Sequence, residues 1–191
     1  LTWPRLMGLP QPKLSGPQCG PMLNTGRKNS MQERFLRIPD FSNYAVSNYG
    51  DIIHIKDQRL MSVSHTNHGH AKISLVSDSG SRHTRSISLL VAQAFVEAPN
   101  PLCDQVVLLD GDLSNVRADN LMWRPRWFAW KYSQQLKSFP PLHYFSLPVI
   151  NLDTGSKYSD VVTAAMAEGL LFDDIWHSTY SRNHYYHFRC I

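Results

Sequence analysis

Apolar and polar positions alternate from residue 35 onward, and the period changes several times along the chain. In residues 35–55, "FLRIPDFSNYAVSNYGDIIHI", β-branched and aromatic side chains recur between polar ones, broken at Pro39-Asp40 and Tyr49-Gly50. This is the pattern of short strands with one buried face. "HAKISLVS" (70–77) and "RHTRSIS" (82–88) predict a further strand pair joined through Asp78-Ser79-Gly80. The period then lengthens: in "SLLVAQAFV" (88–96), Leu89, Leu90, Val91, Ala94 and Phe95 predict a buried helix that ends at Pro99-Asn100-Pro101. "QVVLLDGDLSNVRADNLMW" (105–123) reads as a hairpin with an Asp-Gly turn. "RPRWFAWKYSQQLKSF" (124–139) predicts a helix starting near Pro125, a residue suited to a first helical turn. Its aromatics fit core packing, or exposed rings interleaved with Arg124, Arg126 and Lys131 for contact with bases and phosphates.

Beyond Pro140-Pro141 the texture changes again, and residues 138–147 read as a linker. "LPVINLDTGSKYS" (147–159) is a hairpin about Asp153-Thr154-Gly155. "DVVTAAMAEGL" predicts a short helix with Ser159 or Asp160 as its N-cap and Gly169 as its stop. "FDDIWHSTYS" predicts a second helix capped by Asp173, and "HYYHFRC" a closing strand. Two short helices meeting at a glycine suggest a helix-turn-helix. The second carries Asp173 and Asp174 and no Lys or Arg before Arg182, which counts against its reading a groove.

The bulk properties narrow the picture. A chain of 191 residues with 42% hydrophobic content suffices for one ordinary domain or two small ones. The net charge of +4 leans towards a polyanionic partner. Three cysteines, Cys19, Cys103 and Cys190, show no metal spacing and read as free thiols in a reducing compartment. No apolar run approaches the ~18 residues of a membrane span. Residues 1–30 hold five prolines, four glycines and four Lys/Arg and no acid, which predicts an extended arm without a core of its own. Arg5, Lys13, Arg27 and Lys28 in this arm suit a phosphate-lined surface, with a partner holding the arm in place. The start at Leu1 is that expected of a processed chain, a trimmed one or a fragment.

Four stretches together carry a resemblance. "IPDFSNYAVSNYGDII" (38–53) is similar to a module spelled "YEVSNxGxV" in HNH homing endonucleases of the intron and phage type. "ISLLVAQAFVEAPNP" (87–101) resembles their "VHRLVAxAFxxNP", with Ser88 in place of the histidine. "VVLLDGDLSNVRADNLMW" (106–123) resembles "VNHxDGDxxNNxxxNLxW", and residues 147–170 resemble a C-terminal DNA-binding repeat. The resemblance implies an α+β fold: a strand-rich module, a ββα-metal hairpin-helix unit, and a C-terminal hairpin/helix-turn-helix module. The expected organisation is an arm over 1–33 and an HNH-like domain over 34–137, in which 34–97 form the strand-rich part and 105–137 the ββα unit. A linker over 138–147 and a C-terminal module over 148–191 complete it.

The same resemblance makes the chemistry testable residue by residue. Such nucleases use a strand histidine as general base and a divalent ion held by neighbouring ligands. The base falls here at Leu108, the strand ligand at Val107, and the helix ligand at about Ala129. All are apolar, so the ββα site is expected to be degenerate, with no catalytic residue, no metal and no cofactor. The framework residues Asp110, Gly111, Asn115, Asn120 and Trp123 are kept. His65, His68 and His70, in "HTNHGH", read as a polar loop in preference to a metal site.

The expected function is therefore nucleic-acid binding without cleavage, as a structural RNA-binding subunit of a mitochondrial ribosome. Ribosomal RNA and neighbouring ribosomal proteins are the expected partners, with no membrane and no small-molecule substrate. The candidate contacts are Arg5, Lys13, Arg27, Lys28, Arg34, Arg37, Lys56, Arg59, Lys72, Arg82, Arg85, Arg124, Arg126 and Lys131. Two alternatives stand beside it: a DNA-binding regulator retaining the helix-turn-helix, and an active metal-dependent HNH endonuclease. For these the setting would be a bacterial or phage-infected cytoplasm.

Overall fold

The alternating stretches become short antiparallel strands gathered into small sheets. The structure, a computed structural model, describes residues 32–138, 140–180 and 187–191. Most of the arm expected over 1–33, with Arg5, Lys13, Arg27 and Lys28, lies outside the described residues.

Strands β1 (Phe35–Ile38), β2 (Phe41–Ser47), β3 (Ile52–His54) and β4 (Arg59–Leu60) form one sheet in that order. The β1–β2 turn places Asp40 at φ 64°, a left-handed conformation that Asp tolerates better than most residues. Strands β5 (Ser64–His65), β6 (Ala71–Val76) and β7 (Arg82–Ser86) form a second sheet. In β6, Ala71, Ile73 and Leu75 are buried while Lys72 and Ser74 face water, the two-residue period read from the sequence. β4 and β5 span two residues each, too short for a period to announce them.

Helix α1 (Ile87–Phe95) follows β7 directly and packs against β1, β2, β6 and β7. Val46, Ile52, Ile73, Leu75, Ile87 and Val91 close the core between these layers. Burying each such side chain contributes about 1.5–3 kcal/mol, which makes this core a rigid platform for the hairpin and helix that come next in the chain. Strands β8 (Gln105–Leu108) and β9 (Leu121–Arg124) pair there, with Val107 opposite Met122 and Leu108 opposite Leu121. Pro125, in extended backbone, caps the start of α2 (Arg126–Gln135), which completes a ββα unit.

The C-terminal part has its own core of Tyr144, Val149, Val161, Ala165, Phe172, Ile175 and Phe188. Its sheet runs β11 (Lys157–Tyr158), β10 (Val149–Asn151), β12 (Phe188–Cys190), covered by α3 (Val161–Glu168) and α4 (Phe172–Tyr180). Asp160 caps α3, its carboxylate accepting from the Thr163 N–H at 2.7 Å, and Gly169 ends the helix at φ 64°. Asp173 is not the cap expected for the next helix. It lies inside the first turn of α4 and accepts a hydrogen bond from the Tyr144 hydroxyl. The Phe172 N–H at the head of that helix donates instead to Gln135 Oε1 at 3.0 Å. Residues 138–147, read as a linker, contain a 3-10 turn over Leu142–Phe145. Tyr144 from that turn is buried in the C-terminal core.

The architecture is α+β, with small antiparallel sheets and four α-helices among the described residues. None of these helices is long and apolar enough to cross a membrane.

Candidate nucleic-acid interface

The ββα unit begins from a loop that holds its own shape. Gly111, at φ 75°, allows the chain to reverse after Asp110, and its N–H donates to Leu108 O at 3.2 Å. The Asp110 carboxylate faces back into the loop. Its Oδ1 accepts from Asn120 Nδ2 at 2.8 Å and from the Asp112 N–H at 2.9 Å, and its Oδ2 accepts from Asn115 Nδ2 at 2.6 Å. Asp112 in turn accepts from the Ser114 hydroxyl at 2.7 Å and from the Ser114 N–H at 2.9 Å. Those bonds, the hydroxyl's first, hold the Asp112 carboxyl below its usual range. Both acids of the Asp-Gly-Asp turn therefore serve as loop acceptors.

Helix α2 braces this loop from behind. Phe128 and Tyr132 point inward with Val107 and Leu109, and the Tyr132 hydroxyl donates to Leu109 O at 2.8 Å. Burial pushes the Tyr132 hydroxyl well above its ordinary range, so it remains a donor. The strand-rich module supports the other side. The Ala118 N–H donates to Asn48 O at 2.9 Å, and the Arg117 guanidinium lies 4.5 Å from the centre of the Tyr49 ring. A Cβ on Gly50 would stand 2.4 Å from Val116 Cγ2, so the turn at Tyr49-Gly50 meets the loop without space for a side chain. Sequence reasoning identified this glycine as a turn signal and missed its contact. It also missed the Tyr132 brace, which the helical spacing of Phe128 and Tyr132 foreshadows.

Between β8 and α2 lies a cleft of about 250 Å³. Val107, Leu108 and Ala129 all line it, joined by Leu113 and Leu136, with His70, Ser133 and Lys137 at its polar margin. The structure thus brings together the positions where the resemblance puts a base and two metal ligands. None of these three side chains has a donor atom for a cation, and both Asp110 oxygens are already engaged. Val107, Leu108 and Ala129 therefore offer a divalent ion no ligand at these positions. His65 ends β5 and His68 and His70 lie in the turn that follows; all three are exposed, and the His70 N–H donates to Thr66 Oγ1. No group of His, Cys, Asp or Glu among the described residues is arranged to hold a metal.

The basic candidates separate by exposure. Arg34, Arg37, Lys56, Arg59, Lys72, Arg82, Arg85, Arg126 and Lys131 all face solvent. Register places Lys72 and Arg82 on one face of β6–β7, with Ser74 and Thr84 between them and hydrogen-bonded at 3.1 Å. Arg85 belongs to the opposite face and lies 5.8 Å from the centre of the Phe41 ring. Arg124 is a correction. It is only 6% exposed, and its guanidinium donates to Gly169 O at 3.1 Å and lies 5.3 Å from the Phe128 ring centre. It clamps the C-terminal part to the ββα unit and is withdrawn from any ligand surface.

Residues 33–80, which span the first two sheets as far as the β6–β7 turn, match the NUMOD4 motif. A solved structure concerned with DNA binding and cleavage by the HNH homing endonuclease I-HmuI is similar, at 22% identity and a TM-score of 0.49. That similarity covers 83% of this chain and 98% of that chain. No curated protein matches.

Proposed function

We propose that this chain binds nucleic acid without cutting it, as a structural RNA-binding subunit of a mitochondrial ribosome. The observation that carries the first half of this reading is the apolar cleft. Val107, Leu108 and Ala129 line it at the positions where the resemblance puts a proton acceptor and cation ligands, while Asp110 in the loop that frames them is held by Asn120 and Asn115. Neither Val nor Leu can accept a proton from water, and the Asp110 carboxylate would have to abandon loop bonds to do so. The basic surface supports binding: cations spread over β1, β6, β7 and α2 neutralise phosphates without requiring a base sequence. The ribosomal setting is supported by the acid-free, basic composition of residues 1–30, which suits an RNA-lined surface.

Incubation with supercoiled plasmid and magnesium or manganese tests the loss of cleavage. The expected result is no nicking; metal-dependent nicking abolished by Asp110→Ala would overturn it. Sedimentation of the native protein tests the setting. Co-migration with ribosomal subunits, released by high salt, is expected, and migration at the protein's own mass would sink the ribosomal half. A second reading, a DNA-binding regulator that retains the helix-turn-helix, is favoured by the two short helices α3 and α4 that meet at Gly169. It requires duplex DNA to compete with structured RNA at equal or lower concentration, and DNA binding to disappear on deletion of residues 148–191.

A further inference from the structure

The outer face of α2 carries a feature that phosphate neutralisation does not use. At helical spacing, Phe128 and Tyr132 turn inward, while Trp127 and Trp130 turn outward and remain 58% and 64% exposed. Three residues of helix set the two positions about 4.5 Å apart along the axis. Leu102, 61% exposed, extends the apolar shelf beside Trp127 across an open depression shared with Pro101 and Pro125.

Exposing two tryptophans forgoes a large apolar contribution, since each buries 150–250 Å² when covered. The surrounding charge indicates what covers them. Helix α2 contains no Asp or Glu. Arg126 is 82% exposed at its start, and the Lys131 ammonium lies 5.7 Å from the centre of the Trp127 ring. Asp104, outside the helix, approaches Arg126 at 4.0 Å. Lysine is depleted at protein–protein interfaces, whereas indoles flanked by Lys and Arg match the stacking platforms that hold single strands.

We propose that this face of α2 is a stacking platform for an unpaired nucleic-acid strand: Trp127 and Trp130 each receive a base, and Arg126 and Lys131 meet the flanking phosphates. The proposal rests on the nucleic-acid reading above and adds to it a preference for single-stranded segments. Stacking on an aromatic ring is tolerant of base identity, so the platform selects unpaired structure over sequence.

Fluorescence anisotropy on the full chain tests it, with a labelled oligouridylate and a labelled oligothymidylate of about 12 nucleotides, within the span of such sites, and a labelled RNA hairpin duplex. The double variant Trp127→Leu/Trp130→Leu is expected to weaken both single strands about 30-fold or more. Its duplex affinity and salt dependence should be unchanged, and Trp127→Phe/Trp130→Phe should restore most of the lost affinity. Single-strand affinity unaltered in the leucine variant would overturn the platform and assign the indoles to a protein partner. Wild-type protein that binds the duplex but neither single strand would overturn the platform alone. Failure to bind any of the three probes would overturn the nucleic-acid reading with it.

Discussion

Asn120 and Asp110 hold each other across the mouth of the β8–β9 hairpin. The Asn120 amide donates to Asp110 Oδ1 at 2.8 Å, and the Asp110 N–H donates to Asn120 Oδ1 at 3.1 Å. The same amide nitrogen reaches Asn115 O at 2.8 Å. One buried side chain thereby satisfies two main-chain groups and one carboxylate, so the loop keeps its form whether or not chemistry takes place beside it.

Asn120→Ala is expected to lower stability by about 2–3 kcal/mol, because the stranded main-chain groups lose partners that water only partly replaces. Urea denaturation measures this. Adding Asp110→Ala should cost less than the sum of the single changes, since the two share bonds.

Gly50 sits at φ 99° with no room before Val116. Gly50→Ala is expected to destabilise the protein by more than about 2 kcal/mol, from the left-handed backbone and the collision together. Combining it with Val116→Ala removes the colliding methyl group, so thermal melting of the double variant should show a loss smaller than the sum.

Arg124 and Lys72 should behave as opposites. Arg124→Ala leaves Gly169 O without its buried donor and should cost about 2–3 kcal/mol of stability. The salt slope of RNA affinity should not change. Lys72→Ala, on the open face of β6, should leave stability within about 0.5 kcal/mol and reduce the salt slope by roughly one. Denaturation curves and binding titrations at several salt concentrations separate the two.

Tyr144 and Tyr158 are both pushed up to about 12, by burial first and then by donation to Asp173 and Glu168 respectively. A folded-state value above the unfolded one, about 10, means that the stabilisation is complete below the unfolded value and disappears as pH rises through the folded one. The C-terminal core should therefore loosen between about pH 10 and 12. Tyrosinate absorbance and far-ultraviolet circular dichroism should change together in that window. Tyr144→Phe should reduce the drop.

The order of elements was legible because it is a local property. The alternation in 71–76, the Asp-Gly turn at 110–111 and the Pro125 start of α2 each depend on a few neighbouring residues. The strand β4 and the cap of α4 were not legible, for the corresponding reason. A two-residue strand has no period, and Phe172 draws its capping acceptor from Gln135, 37 residues earlier.

The sequence by itself determined the order of short strands, hairpin and helix, and that Val107, Leu108 and Ala129 carry apolar side chains. Turn chemistry and side-chain identity need no partner to be read. Only the tertiary structure decided that Arg124 is buried and Arg126 exposed, that Phe128 turns in while Trp127 and Trp130 turn out, and that Asp173 answers Tyr144. Each of these outcomes depends on what a distant segment places opposite the residue. Burial and electrostatic pairing are settled between elements, where no local pattern reaches.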